Sequence, residues 1–119
     1  MILVDTSVWV DYLRRGDEEL RQLLESGRVC THPFVIGEIA CGNLVHRATV
    51  LELLNGLPAV RVVSDSDILS FIEDHGLMGR GIGYIDIHLL AAVVSGASIR
   101  LWTRDKRLHA LAESLGVSF

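Results

Sequence analysis

Short apolar runs separated by amphipathic stretches set the rhythm of this chain. Ile2-Leu3-Val4 is apolar at every position, the pattern of a strand buried on both faces. Asp5, Thr6 and Ser7 follow, all good helix N-cap types. Val8, Trp9, Tyr12 and Leu13 then recur at helical spacing, which predicts a helix from Ser7 to Arg14, broken at Gly16 and Asp17. A second helix, Glu18 to Glu25, turns Leu20, Leu23 and Leu24 inward and ends at Gly27 as a left-handed cap would. Val29 to Thr31 reads as a second strand, and Pro33 suits the first turn of a helix over Phe34 to Cys41. A helix from His46 to Asn55 closes at Gly56 and Pro58, and Val60 to Val63 reads as a third strand. Ser64 or Asp65 caps a helix to His75, after which Gly76, Gly79, Gly81 and Gly83 mark a loop. A strongly apolar helix over Tyr84 to Ser95 leads to a fourth strand, Ile99 to Thr103. Asp105 caps a helix to Leu115, and Val117 to Phe119 forms a last strand.

Strands alternating with helices predict an α/β fold with a parallel sheet and helices on both faces. In such sheets the ligand crevice lies beyond the carboxyl ends of the strands. Functional residues are therefore sought immediately after each strand.

With 119 residues and no repeats, low-complexity stretches or linker-like segments, the expectation is one domain spanning residues 1–119. The longest nearly apolar run, Ile82 to Val94, carries Asp86 and His88 and is too short to span a bilayer. No basic region precedes the first apolar residues, so no signal peptide is read and a cytoplasmic protein is expected. Cys30 and Cys41 lack a Cys-x-x-Cys spacing and are read as a reduced, buried pair. The formal net charge of −4 does not favour long-range attraction of nucleic acid, although a local site can differ from the average. Ten of the eleven basic residues are arginine, whose planar fork grips phosphate.

Four acids carry the chemistry. Asp5 and Asp105 each follow a strand and double as helix caps, yet the crevice rule sends both to one edge of the sheet. Glu38 lies among Val35, Ile36, Ile39 and Ala40, which reads as a partly buried carboxylate in need of a partner. An ion pair with an arginine would serve, and so would a metal. Asp86 opens an apolar helix, where the helix dipole also favours an anion. If the four meet, the repulsion between neighbouring charges is on the order of 4 kcal/mol per pair about 4 Å apart at an effective dielectric near 20. Such a cluster either holds protons at raised pKa values or binds a divalent cation. A set made only of hard oxygen ligands points to Mg²⁺ or Mn²⁺ rather than zinc. His32, His46, His75, His88 and His109 have no metal-binding spacing and read as structural or solvated.

Leu3-Val4-Asp5-Thr6-Ser7, Val35-Ile36-Gly37-Glu38-Ile39-Ala40, Tyr84-Ile85-Asp86-Ile87-His88-Leu89-Leu90-Ala91-Ala92 and Trp102-Thr103-Arg104-Asp105 together resemble the four acidic motifs of the PIN-domain family, and within it the VapC toxins. Order and approximate spacing hold along the whole chain. The third motif departs from many relatives, which carry an additional acid where Tyr84 and Ile85 stand. The resemblance implies a three-layer α/β/α sandwich around a central, mostly parallel sheet of four or five strands. It implies a Mg²⁺-dependent endoribonuclease acting on structured RNA such as tRNA or rRNA, a homodimer, and inhibition by a VapB-type antitoxin. The expected catalytic and metal-binding residues are Asp5, Glu38, Asp86 and Asp105. Thr6, Ser7 and Thr103 could orient them, and Arg80 and Arg104 are candidate RNA contacts.

Other readings stay open at this stage. A haloacid-dehalogenase-like phosphatase would need an Asp where Ser7 stands. A receiver domain would need a lysine better placed than Lys106, which directly follows Asp105. A flap-nuclease-like enzyme or a catalytically silent binding module would share the acid cluster.

Overall fold

The computed structural model describes residues 1–119. Three short strands, β1 (Ile2–Val4), β2 (Val29–Cys30) and β3 (Arg100–Trp102), form a parallel sheet in the order β2-β1-β3. Seven helices surround it: α1 (Thr6–Arg15), α2 (Glu18–Glu25), α3 (Pro33–Ala40), α4 (Arg47–Gly56), α5 (Asp65–His75), α6 (Tyr84–Ser95) and α7 (Lys106–Ser114). From β1 the chain runs outward to β2 and then crosses back to β3 on the other side. Right-handed crossovers then put helices on both faces. Strand order reverses at β1, which makes the space beyond the ends of β1 and β3 the topological switch point.

The apolar pattern accounts for the layering. Ile2, Leu3 and Val4 are all buried, as the central position of β1 requires. Helix α6 is apolar all round and buries every residue from Ile87 to Val93, packing against α5, α7 and β3. Val8 and Trp9 bury one face of α1, and Leu108, Leu111 and Ala112 one face of α7. Helices α2 and α7 end on the same device. Gly27 and Gly116 sit at positive φ while the next residue, Arg28 or Val117, returns its N–H to a carbonyl of the last turn. Each turn aims the chain back along the sheet. No helix is long and apolar enough to cross a membrane.

Two expected strands shrink to single bridges. The segment read as a strand at Val60–Val63 pairs only through Thr31 and Ala59, and the last strand only through Leu101 and Ser118. Val62 is exposed, so the apolar run lacks the second covering layer that a longer strand would need. The sheet therefore has three strands rather than four or five, extended by one parallel bridge at each edge. Cys30 is buried but Cys41 lies exposed at the end of α3, so the cysteines are free and are not a buried pair.

Two histidines join the core. His32 is fully buried, and its Nδ1 accepts the Phe34 N–H at 3.0 Å to cap α3. Its ring lies 4.8 Å from Phe34 and 6.3 Å from the buried His88 ring, and its Nε2 has no partner. Burial, reinforced by His88, pushes the His32 pKa down to about 4 from 6.5. The folded state holds the neutral form, so stability is complete above the unfolded value and is lost as pH falls from 6.5 towards 4. The loss reaches roughly 3 kcal/mol across that window. His32→Asn keeps a cap and removes the titration. In thermal melts the wild type's advantage over this variant should shrink on acidification; an advantage that stays constant with pH would contradict the assignment.

Candidate metal centre

Asp5 is the most constrained of the four acids. Its N–H donates to the Trp102 carbonyl at 2.9 Å, extending the β1–β3 ladder by one residue. Its carbonyl accepts the Val8 and Trp9 N–H groups and so starts α1, but its side chain makes no capping bond. The Asp5 carboxylate is instead 5% exposed and held at Oδ2 by two hydroxyls, Thr103 at 2.7 Å and Ser7 at 2.9 Å. The cap reading of Asp5 thus fails at the side chain.

Asp105 does cap α7, its Oδ1 accepting the Leu108 N–H at 3.0 Å. Its own N–H donates to Thr103 Oγ1 at 3.1 Å, tying it to the hydroxyl that holds Asp5. Glu38 is exposed, contrary to the burial expected from its apolar neighbours. The short helix α3 turns Val35 and Ile39 into the core and leaves Gly37 and Glu38 on the outer face. No arginine pairs with Glu38; the Thr6 hydroxyl donates to its Oε1 at 2.8 Å. Asp86 is half-buried in the first turn of α6.

Electrostatics connects the set. Burial, followed by the charges of Asp5, Asp105 and Glu38, pushes the Asp86 carboxyl up to about 6. Asp86 therefore feels the other three acids. None of them forms an ion pair with a basic side chain. Asp5, Glu38 and Asp105 each have one carboxylate oxygen fixed by a protein hydrogen bond and the other unengaged, and Asp86 has both unengaged. No three His, Cys, Asp or Glu side chains stand close enough together to clasp an ion as placed. The outer acids, Glu38 and Asp105, are exposed. The donor chemistry, hard oxygens of net negative charge, fits Mg²⁺ or Mn²⁺.

The neighbouring groups divide. Ser7, Thr103 and Thr6 all touch an acid directly. Arg80 is exposed on the glycine-rich loop before α6. The Arg107 guanidinium lies against Gly81, at φ +73°, where a Cβ would collide with it. Arg104, though partly exposed, does not present a free guanidinium as a phosphate contact would. Its guanidinium is taken by Asp11 and by Asp17, the latter at 2.6 Å. Those two acids carried no signal in the sequence, being separated from Arg104 by 93 and 87 residues.

Comparison with known proteins places this chain in a family. The PIN-domain family model matches residues 2–114. Ribonuclease VapC32 of Mycobacterium tuberculosis is 44% identical over 118 residues, spanning 99% of this chain and 95% of that protein. VapC ribonuclease Mb1587 of Mycobacterium bovis is 32% identical over 126 residues, spanning 94% of this chain and 92% of the relative. The crystal structure of PAE2754 from Pyrobaculum aerophilum superposes with a TM-score of 0.60 at 16% identity, covering 97% of this chain and 88% of that one, which supports the fold. The chain belongs to the PIN-domain family, within its VapC group.

Proposed function

We propose that this chain is a Mg²⁺-dependent endoribonuclease, with Mn²⁺ as an alternative ion, acting as the toxin of a cytoplasmic type II toxin–antitoxin pair. The observation that carries the reading is four carboxylates, three of them near enough to help raise the fourth, each with an unengaged oxygen and none with a basic partner. Two of the similar proteins carry ribonuclease and VapC in their names, which supports RNA as the substrate. Structured RNA, tRNA or rRNA, is the class proposed, and a homodimer is the proposed assembly.

Asp5 and Asp86 would hold the ion, with Glu38 and Asp105 completing the set directly or through water. When bound, a divalent ion lowers the pKa of a coordinated water and neutralises charge on the scissile phosphate. The protein's own part is orientation. Ser7 and Thr103 fix the Asp5 carboxylate so that Oδ1 is the oxygen on offer. Thr6 does the same for Glu38, and the start of α7 for Asp105. The N-terminal end of α6 stabilises the charge that Asp86 must carry to act as a ligand.

A VapB-type antitoxin is the proposed partner. A groove of about 430 Å³ between α1 and the α3–α4 region is lined by Val10, Leu13, Ile39, Leu44 and Val50 and reaches Glu38. Val45, 80% exposed, stands at the same groove, so an apolar segment seated there would end beside the acids.

Asp5→Asn should reduce cleavage of a fluorogenic RNA to the level of an EDTA control while leaving the circular dichroism spectrum unchanged. Full activity in that variant rejects the assignment, and cleavage of DNA in place of RNA would favour the flap-nuclease-like reading. A second expectation concerns stability without metal. The Asp86 carboxyl, at 3.8 unfolded and about 6 folded, favours the folded state only while protonated, so stability falls as pH rises between those values. Asp86→Asn escapes this loss. In EDTA its melting temperature should gain on the wild type between pH 4 and 6 and then run parallel, and Mg²⁺ should restore only the wild type; a difference that does not change with pH would contradict the crowding of the acids.

A further inference from the structure

Arg104 stands between Thr103 and Asp105 in the strap of three residues that joins β3 to α7. Thr103 holds Asp5, and Asp105 is itself one of the four acids, so the strap's placement sets the distance between two proposed ligands. Three contacts tie the strap to the other end of the chain. The Arg104 N–H donates to Ser7 Oγ at 3.1 Å. Nη1 of its guanidinium donates to Asp11 on α1, and Nη2 donates to Asp17 Oδ2, at the cap of α2, at 2.6 Å. The guanidinium also lies 5.8 Å from the centre of the Trp102 ring.

Charge decides what this arginine can do. Arg104 and Arg15, which holds the other oxygen of Asp11, balance the two carboxylates, so the group carries no net positive charge to attract phosphate. Both terminal nitrogens of Arg104 already donate to carboxylates in fixed directions. Partly exposed ion pairs of this kind add little to global stability. What the arrangement does supply is geometry, because the planar fork spans two acceptors at once and a lysine ammonium offers only a point charge.

We propose that Arg104 is a positioning residue: clamped between Asp11 and Asp17, it locks the Thr103–Asp105 strap to α1 and thereby sets the spacing of Asp5 and Asp105 for a divalent ion. This rests on the metal-dependent reading given above. Asp11 and Asp17 belong to the clamp equally, although neither faces the ion.

The test uses the full chain without RNA, titrated with Mn²⁺ and followed by electron paramagnetic resonance, and separately the binding of a labelled RNA in EDTA. Arg104→Gln and Asp11→Asn should each weaken Mn²⁺ binding on the order of tenfold, as loss of an outer support does. The double variant should be no weaker than either single one, Arg104→Lys should fall between, and RNA binding should stay within about twofold of wild type throughout. Should Arg104→Gln unfold, Asp17→Asn and Arg104→Lys carry the same comparison, since Asn preserves the cap of α2. Unchanged Mn²⁺ affinity in these variants overturns the proposal, as does weaker RNA binding in Arg104→Gln with tighter binding in Asp11→Asn, the signature of an RNA contact. Asp5→Asn separates the two levels. If the wild type binds Mn²⁺ and Asp5→Asn does not, a normal affinity in Arg104→Gln defeats the clamp alone. If Asp5→Asn binds as the wild type does, the metal reading fails and the clamp with it.

Discussion

Uncompensated negative charge at the carboxyl edge of a small parallel sheet is the constraint on which the rest of this structure turns. Asp5 follows the central strand, Asp105 follows its neighbour, and Asp86 opens the buried helix that packs behind them. Burial of the Asp86 carboxyl, followed by the charges of Asp5, Asp105 and Glu38, pushes it up to about 6. A protein that wanted these acids only as caps would set arginines among them. This chain places its paired arginines elsewhere: Arg15 and Arg21 bridge within their own helices, and Arg104 is spent on Asp11 and Asp17.

The fold tolerates that charge because the surrounding parts are stiff. Three helices, α1, α6 and α7, begin at or beside the acids, and the positive end of each helix dipole offsets part of the repulsion. Hydroxyls of Thr6, Ser7 and Thr103 fix one oxygen of an acid and leave another available. Behind them α6 is held in the core from Ile87 to Val93, which fixes the backbone from which Asp86 projects. Asp5, Glu38 and Asp105 thus each have one oxygen fixed, while Asp86 is placed by the start of α6 alone.

Much of this was legible in the sequence, and for physical reasons. Asp5 and Asp105 could be located because an acid directly after an apolar run lands at the end of a parallel strand. The bounds of α2 could be read because its apolar periodicity and its Gly27 terminator agreed, and those of α6 because a long apolar stretch follows the glycine-rich loop. The exposure of Glu38 was not legible: its neighbours in sequence are apolar, but the face that Val35 and Ile39 bury is not the face Glu38 occupies. Strand length was also hidden, since Val60–Val63 is apolar enough for a strand and yet finds a partner only at Ala59. The contact of His32 with His88 and the seat of Arg104 depend on residues far apart in the chain, and no local pattern announces either.

The central claim, that distant carboxylates close on one divalent ion, is tested most directly by crystals grown with Mn²⁺ and examined for anomalous scattering. The account expects a peak at the carboxyl edge of the sheet, coordinated by Asp5 and Asp86 and lost in crystals of Asp5→Asn. An empty edge at saturating Mn²⁺, or a peak that survives the loss of Asp5, would contradict it.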